Sequence, residues 1–170
     1  MVELNSNSVI TIGEAYNDNT REVFLEGEAF FDIAKDKQRP FIIHTNAINV
    51  LVTGTSFYVK SGTQGHNVEV IVETGNVKLT DINNPLSQIT LSAGENAVYQ
   101  TENKIFDKVN KDVNSLFWKT KTLVFTKMPL KEVVGILNQC YNVNIVLSNK
   151  NLGNCSDLHF LLMLKKEAQR

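Results

Sequence analysis

Cysteine, proline and excess charge are scarce in this sequence, and long apolar runs are missing. The 170 residues include two cysteines and three prolines, and they carry a formal net charge of −1. So weak a charge gives no basic surface for nucleic acid, which is therefore not expected as a partner. No apolar run reaches the roughly 18 residues of a membrane span, and residues 1–9 lack the pattern of a signal peptide. The 170 residues of this chain are therefore expected to make no membrane contact.

The residues that most often bind metals are few and widely spaced. Cys140 and Cys155 show no CxxC spacing, and we favour two free thiols, although an oxidising compartment would allow a disulfide. The three histidines share no ligand spacing of the HxH or HExxH type. We interpret His44 as a strand residue with hydrogen-bonding partners and His66 as a loop residue, while His159 lies in the C-terminal tail. No metal and no other cofactor is expected.

The sequence from residue 9 to residue 106 has the alternating pattern of short β-strands. Valine, isoleucine and aromatic residues recur in it and are separated by Gly, Asn and Asp, which is typical of an all-β domain. The apolar strand positions are Val23, Leu25, Ala29, Phe31, Ile33, Ile43, Val50, Val52, Phe57, Val59, Val68, Val70, Val72, Ile89, Leu91, Ala97 and Tyr99. The pattern predicts a mainly β domain of bent hairpins, in the form of a β-sandwich, a β-roll or a β-helix-like stack.

Glycine recurs in this region in a fixed setting. The segments FLEGEAFF, VETGNVKL and LSAGENAV place Gly27, Gly75 and Gly94 between two strands, where glycine marks a bend with positive φ. The stretch VLVTGTSFYVK places Gly54 similarly, just before Ser56. A catalytic serine on a nucleophile elbow would need a G-x-S-x-G pattern and a following helix, whereas a strand follows Ser56. We therefore interpret Gly54 as another bend and Ser56 as a structural residue.

Acidic residues and one tryptophan are the other candidates for chemistry. Glu26 and Glu28 flank Gly27 and would share a face of an ideal strand, as a pair of carboxylates for glycoside hydrolysis would require. The remaining carboxylates of the β region are Asp32, Glu69, Glu73 and Glu95. We favour a solvent-facing role for all of them and expect no enzymatic activity. Trp118 could stack on a sugar, which makes a carbohydrate-binding β-sandwich the alternative function, but packing at a domain junction is favoured.

A strand–helix–strand pattern follows the β region. A polar connector at residues 107–116 leads to a strand predicted within residues 117–125. Pro129 marks the first turn of a helix that ends at Asn142. Its apolar stripe is Leu130, Val133, Val134 and Leu137. The segment VNIVLS is then predicted as a second strand, which gives a small α+β unit of the βαβ type. Residues 156–170 fit either a last helix over this unit or a non-native end.

Three consecutive motifs of the β region resemble the FecR family. The pattern R-x-V-x-L-x-G-E-A-x-F runs from Arg21 to Phe31, R-P-F runs from Arg39 to Phe41, and V-x-V-x-G-T-x-F-x-V runs from Val50 to Val59. Residues 117–147 resemble the family's C-terminal module, which is similar to the short N-terminal domain of secretins and TonB-dependent receptors. The glycine that usually follows Trp118 is missing, and residues 156–170 depart from the module's pattern.

The resemblance implies both a domain organisation and a function. A FecR-type β domain is expected at residues 1–112 and the α+β module, incomplete at its end, at residues 113–170. In such proteins these parts form the periplasmic sensing region of an inner-membrane anti-sigma factor. The region receives a signal from the signalling domain of an outer-membrane TonB-dependent transducer, and an N-terminal segment outside these residues holds the sigma factor. Contact by strand addition at an edge beside VNIVLS is expected.

Overall fold

The chain forms two compact units, Met1–Lys111 and Asp112–Arg170. The computed structural model describes residues 1–14, 16, 19–62, 67–109, 114, 116–141, 143–155 and 159–163. In the first unit, called the β unit, the described elements are strands, and in the second, called the α+β unit, helices accompany a pair of strands. The mainly β class that the alternation predicts is confirmed.

An 11-stranded sheet makes up the described part of the β unit. Its strands are β1 (Val2–Leu4), β2 (Val9–Ile12), β3 (Arg21–Asp32), β4 (Phe41–His44), β5 (Ile48–Val52), β6 (Ser56–Ser61), β7 (Val68–Thr74), β8 (Asn76–Asp81), β9 (Gln88–Ser92), β10 (Asn96–Gln100) and β11 (Ile105–Lys108). The order across the sheet is β11-β10-β7-β6-β3-β4-β5-β8-β9, and β1 and β2 also pair with β3. β3 and β4 run parallel, whereas the other described pairs are antiparallel.

Strand β3 divides this sheet into two parts because its halves have different neighbours. The first half pairs with β2 and β4, and the second half pairs with β1 and β6. We call the part with β2, β4, β5, β8 and β9 sheet B, and the part with β1, β6, β7, β10 and β11 sheet A. Gly27 lies where β3 passes from sheet B to sheet A, with φ of 93°. A Cβ atom at Gly27 would be 2.8 Å from the Cα of Ser8, so the bend excludes a side chain.

The other three glycines singled out by the sequence lie at three further crossings between the sheets. Gly54 joins β5 to β6, Gly75 joins β7 to β8, and Gly94 joins β9 to β10. Their φ angles are 146°, 76° and 85°, so the predicted bends with positive φ are confirmed. The similar segments in the sequence therefore mark corners of the fold rather than repeats of a solenoid.

Apolar side chains from sheets A and B form one buried cluster. All the strand positions predicted from the alternation are buried in it except Ile89, which is half-buried and packs against it. Phe31 stacks on Phe57 with ring centroids 5.3 Å apart, and its centroid is 6.0 Å from that of Phe41. Burial of one such side chain contributes about 1.5–3 kcal/mol. The two sheets are therefore held face to face chiefly by apolar packing.

The α+β unit is built around one longer helix. Its elements are α1 (Phe117–Thr120), β12 (Thr122–Thr126), α2 (Leu130–Tyr141), a 3-10 helix (Lys150–Asn154) and β13 (His159–Met163). The predicted helix after Pro129 is confirmed, and Val133 is its buried residue. Val133 packs with Phe117, Leu123 and Phe125, and the half-buried Leu130 and Leu137 lie against this cluster.

The strand predicted within residues 117–125 is confirmed in its second half, where β12 begins at Thr122, but its first half and a second predicted strand of this unit are wrong. Residues 117–120 form a helical turn instead of the start of a strand, because the N–H of Lys121 donates to the carbonyl of Phe117 and closes the turn. Lys121, at the end of this turn, adopts φ of 54°. The segment VNIVLS is not a strand either. The Asn138 side chain takes the backbone hydrogen bonds of Ile145 that a neighbouring strand would otherwise take.

The second strand of this unit lies further along the chain than predicted. β13 pairs antiparallel with β12, and Leu123 faces Leu162 in the register. A last helix over this stretch is therefore wrong. An apolar run of this length fits a helix or a strand equally well, and here β12 supplies hydrogen-bonding partners for a strand. Residues 164–170 lie outside the described residues.

Candidate functional site

Ser56 lies at the start of β6 in a network of surface hydrogen bonds. Its hydroxyl donates to Oδ1 of Asp32 at 2.8 Å, and its N–H donates to the Thr74 hydroxyl at 3.0 Å. These bonds tie the corner after Gly54 to β3 and β7. A nucleophilic serine instead gives its proton to a base that is itself oriented by a third group. The geometry at Ser56 favours the structural interpretation.

Glu28, the acidic residue of the G-E-A motif, accepts hydrogen bonds from three directions. Its carboxylate accepts from the Asn5 amide at 2.9 Å, from the Tyr58 hydroxyl at 3.0 Å and from the Lys60 ammonium at 3.0 Å. Its N–H donates to the Ser8 hydroxyl at 2.8 Å. Glu28 therefore fastens the turn between β1 and β2 to β3, immediately after the corner at Gly27.

The electrostatics of Glu28 argue against a role as a general acid. Burial raises the pKa of its carboxyl, but hydrogen bonds from Lys60, Asn5 and Tyr58 outweigh burial and bring the pKa below its ordinary value. A general acid at neutral pH needs a raised pKa. Glu26, on the other side of Gly27, is exposed and pairs in register with Val9 of β2. The two carboxylates therefore do not form the pair that glycoside hydrolysis would require.

Residues of the first two motifs contact one another at the start of β3. The N–H of Arg21 donates to the carbonyl of Pro40 at 2.9 Å, and its Nε donates to the carbonyl of Arg39 at 2.9 Å. The guanidinium carbon lies 5.7 Å from the centre of the Phe41 ring. Arg39 also pairs with Asp36 at 3.0 Å. These contacts hold β4 beside β3. Residues of the first two motifs therefore connect these two strands.

His44 lies on the outer face of sheet B between two oxygen acceptors. Its Nδ1 is 2.8 Å from Oδ1 of Asn49, and its Nε2 is 3.0 Å from Oε2 of Glu22. The ring stacks on Phe24 with centroids 4.9 Å apart. The prediction that His44 is a strand residue with hydrogen-bonding partners is confirmed. A hydrogen bond from Thr20, followed by that from His44, lowers the pKa of Glu22.

The remaining predicted residues do not come together in one site. Asp32 binds Ser56, and Glu95 pairs with Lys108 at 2.6 Å beside the corner at Gly94. Glu73 is exposed and Glu69 half-buried on β7. His66 lies outside the described residues, and so does the His159 side chain. In the described part of the chain no three acidic, cysteine or histidine residues are grouped to hold a metal.

Trp118 and the two cysteines lie in the α+β unit. Trp118 belongs to α1 and is half-buried, and its carbonyl accepts a hydrogen bond from the Lys121 ammonium. Cys140 is near the end of α2, whereas the carbonyl of Cys155 accepts from the N–H of Leu130 at the start of the helix. The rise of an α-helix separates these two ends by about 15 Å, well beyond the span of a disulfide. Cys140 and Cys155 are therefore not joined by a disulfide.

An apolar segment without regular secondary structure follows α2. We call residues 143–147 the exposed segment, because Val143, Ile145 and Val146 are 47%, 42% and 75% exposed. The Asn138 amide donates to the carbonyl of Ile145 at 3.1 Å and accepts from its N–H at 2.6 Å. This contact was not predicted from the sequence, although an asparagine near the end of a helix, followed by a β-like segment, is a visible signal.

Ser56, Glu28 and His44 each hold neighbouring strands of the β unit together. Residues 1–78 match the family described as FecR protein, and residues 122–160 match the family described as FecR, C-terminal. The chain belongs to the FecR family. The second match includes the first residues of β13. The family pattern therefore extends into residues 156–170, which by their sequence were expected to depart from it.

Solved structures agree with this assignment. The chain is similar to a proposed anti-sigma factor from Parabacteroides distasonis, solved in two crystal structures at 1.65 Å and 2.50 Å resolution. In both cases the TM-score is 0.66 and the identity 31%, over 97% of this chain and 76% of that chain. None of the curated proteins matches. Among the described residues, no helix is long and apolar enough to cross a membrane.

Proposed function

We propose that this chain is the sensing region of a membrane-anchored anti-sigma regulator, and that it lies in the periplasm. The region receives a signal from the signalling domain of an outer-membrane TonB-dependent transducer and relays it to a sigma factor held by another part of the same regulator. It works by protein–protein contact and not by catalysis.

The observation that carries the proposal is the likeness to a proposed anti-sigma factor along 97% of this chain at 31% identity. Family membership supports the same regulatory role. The arrangement of polar side chains is consistent with it, because Ser56, Glu28 and His44 each hold neighbouring strands together.

The exposed segment is the surface that we assign to the transducer. It presents Val143, Ile145 and Val146 to solvent and belongs to no strand, so a strand of the partner can pair with it. The sequence predicted an exposed sheet edge beside VNIVLS. In its place, the exposed segment itself becomes a strand, and only when a partner strand binds. Backbone hydrogen bonds would supply affinity and the apolar side chains specificity.

The test is calorimetric titration of the transducer's isolated signalling domain into this chain. A micromolar dissociation constant, equivalent to about −8 kcal/mol, is expected. Val146→Lys should weaken binding at least about tenfold, because a charge would be buried in the contact. Leu86→Lys is the matched control, since Leu86 is 90% exposed in a loop of the β unit.

Two results would contradict this assignment. If Val146→Lys binds as tightly as the parent chain, the contact lies elsewhere on the chain and the relay itself stands. If the parent chain does not bind the signalling domain at all, the relay is wrong for this protein.

A further inference from the structure

A groove opens on the β unit where β3 changes partners. Pairing of β3 with β4 extends to Phe24 opposite His44, and pairing with β6 begins at Gly27 opposite Ser61. Between these points the side of β3 that faces β4 and β6 is left open. The resulting groove has a volume of about 510 Å³ and is lined by Phe24, Leu25, Glu26, His44, Thr45, Asn46, Ser61 and Gly62. Its size is that of a site for a small molecule.

One wall of the groove is an aromatic platform. Phe24 is 50% exposed although it lies in the middle of a sheet face, and it stacks on His44 with an angle of 28° between the rings. His44 is held in turn by Asn49 and Glu22. The platform is thus fixed before any ligand arrives, which reduces the entropic cost of binding.

Polar groups surround this platform. The carboxylate of Glu26 is exposed on one side, and the amide of Asn46 is exposed at the turn that follows β4. The buried hydroxyl of Ser61 donates to Oδ1 of Asn46 at 3.1 Å and so orients the amide. Thr45 is 9% exposed beneath it. The groove therefore combines an apolar ring face with planar hydrogen-bonding groups at its edges.

This combination matches the chemistry of a sugar ring. A pyranose has an apolar face of C–H groups, which the electron-rich face of an aromatic ring attracts, and a rim of hydroxyls that both donate and accept hydrogen bonds. Glu26 can accept from such hydroxyls, and an amide can donate and accept. We propose that the groove binds one neutral pyranose unit, with its C–H face on Phe24 and its hydroxyls towards Glu26 and Asn46.

The proposal is tested by NMR titration of the whole chain with the methyl glycosides of glucose, galactose and mannose. At least one should shift the amide signals of residues 24–26, 44–46 and 61–62, with a dissociation constant on the order of millimolar, as is ordinary for one small ring. An N-acetyl-arginine amide is titrated in parallel, because an aromatic ring beside a carboxylate can also hold an organic cation.

Variants decide which contacts carry the binding. Phe24→Leu keeps an apolar side chain but removes the ring face, and it should weaken glycoside binding at least about fivefold. Glu26→Gln should weaken it by a smaller factor because one acceptor is retained. Ile105→Leu, at an exposed position on β11, is the control and should leave binding unchanged. Thermal unfolding shows whether each variant is folded.

Three outcomes would overturn the proposal. They are the absence of shifts with all three glycosides at concentrations well above millimolar, shifts that persist unchanged in a folded Phe24→Leu variant, and shifts with the arginine derivative alone. If Phe24→Leu fails to fold, nuclear Overhauser contacts between glycoside C–H protons and the Phe24 ring in the parent chain decide, and their absence rejects the site.

Discussion

The hydroxyl of Tyr99 donates a hydrogen bond to the Asp81 carboxylate at 2.7 Å inside the β unit. Asp81 ends β8 in sheet B and Tyr99 lies on β10 in sheet A, so the bond joins the two sheets. Both residues are almost fully buried, at 1% and 2% exposure. The Asp81 carboxylate also accepts the N–H of Asn83 at 2.8 Å. A buried carboxylate is thereby supplied with donors at the point where the sheets meet.

Removal of the Tyr99 hydroxyl should therefore destabilise the fold. Tyr99→Phe keeps the ring in the core but removes one donor to the buried Asp81 carboxylate, and a hydrogen bond to a charged group contributes about 1.5–3 kcal/mol. The free energy of unfolding in urea is the measurement. Tyr58→Phe is the control, because the Glu28 carboxylate is only half-buried and also keeps its bonds from Asn5 and Lys60, so this variant should cost less. Equal losses in both variants would contradict the special role of the buried pair.

The same pair predicts a loss of stability at alkaline pH. Burial, and then the hydrogen bond to Asp81, raise the pKa of Tyr99 to about 12. Because the raised pKa favours the protonated hydroxyl in the folded state, this contribution is complete below the ordinary pKa of about 10 and is lost between about pH 10 and 12. Unfolding curves across that range should show the loss in the parent chain and a smaller loss in Tyr99→Phe. If the free energy of unfolding fell equally steeply with pH in both proteins, the loss would not come from Tyr99.

At acidic pH the pKa shift that matters is that of Asp81, and it has the opposite sign to the shift of Tyr99. Burial raises the pKa of Asp81, but the hydrogen bonds from Tyr99 and from the N–H groups of Asn83 and Asn84 outweigh it and lower the pKa. Stability from this lowered pKa is present above the ordinary pKa of an aspartate and is lost as the pH falls through the folded value. Asp81→Asn should flatten the acid side of the stability profile, which denaturation at a series of pH values measures. An unchanged acid limb would show that other carboxylates dominate it.

Two corner glycines allow backbone strain to be separated from crowding. Gly54 and Gly94 both have positive φ, but a Cβ atom at Gly54 would lie 2.6 Å from the Cα of Lys35, whereas one at Gly94 would meet nothing within 4 Å. Gly94→Ala should cost about 1 kcal/mol from strain alone. Gly54→Ala should cost about 3 kcal/mol or more, because Lys35 must also move. Chemical denaturation followed by circular dichroism gives both values, and equal costs would mean that the corner at Gly54 relaxes freely.

Local pattern accounts for what the sequence predicts well. Alternation with a period of two placed Val23, Phe31 and Val70 in the core because strand side chains point to opposite faces in turn. Glycine between two apolar runs marked the corners because few other residues adopt positive φ without strain. Helix α2 was predictable from its apolar spacing and from Pro129. These signals all lie within a few residues of the structure that they specify.

Contacts between distant segments account for what could not be predicted. The parallel pairing of β3 with β4, which opens the groove beside Phe24, has no local signal. The exposed segment has the composition of a strand, yet one side chain, that of Asn138, takes the hydrogen bonds of Ile145. The stacking of Phe24 on His44 likewise depends on the register of two strands, since alternation shows only that both face outward.

Ser56 offers a direct test of its structural role. Ser56→Ala removes the hydrogen bond to Asp32 and should cost about 0.5–1.5 kcal/mol of stability, because this bond lies at the surface. Binding of the transducer's signalling domain should be unchanged in calorimetry. If binding were lost while the far-ultraviolet spectrum and the unfolding temperature stayed the same, Ser56 would have a functional role that its geometry does not suggest.

Asn138 allows a test of how the exposed segment is held. In Asn138→Ala both hydrogen bonds to Ile145 are lost, so the Ile145 amide should exchange with solvent at least about tenfold faster, which corresponds to about 1.4 kcal/mol. Asn138→Asp keeps the acceptor for the N–H of Ile145 and should preserve much of its protection. Gln139→Ala is the control, since Gln139 is exposed on the same helix. Hydrogen exchange measured by NMR reports each amide separately. Unchanged exchange at Ile145 in Asn138→Ala would mean that this side chain does not hold the exposed segment, and its exposed position would then need another cause.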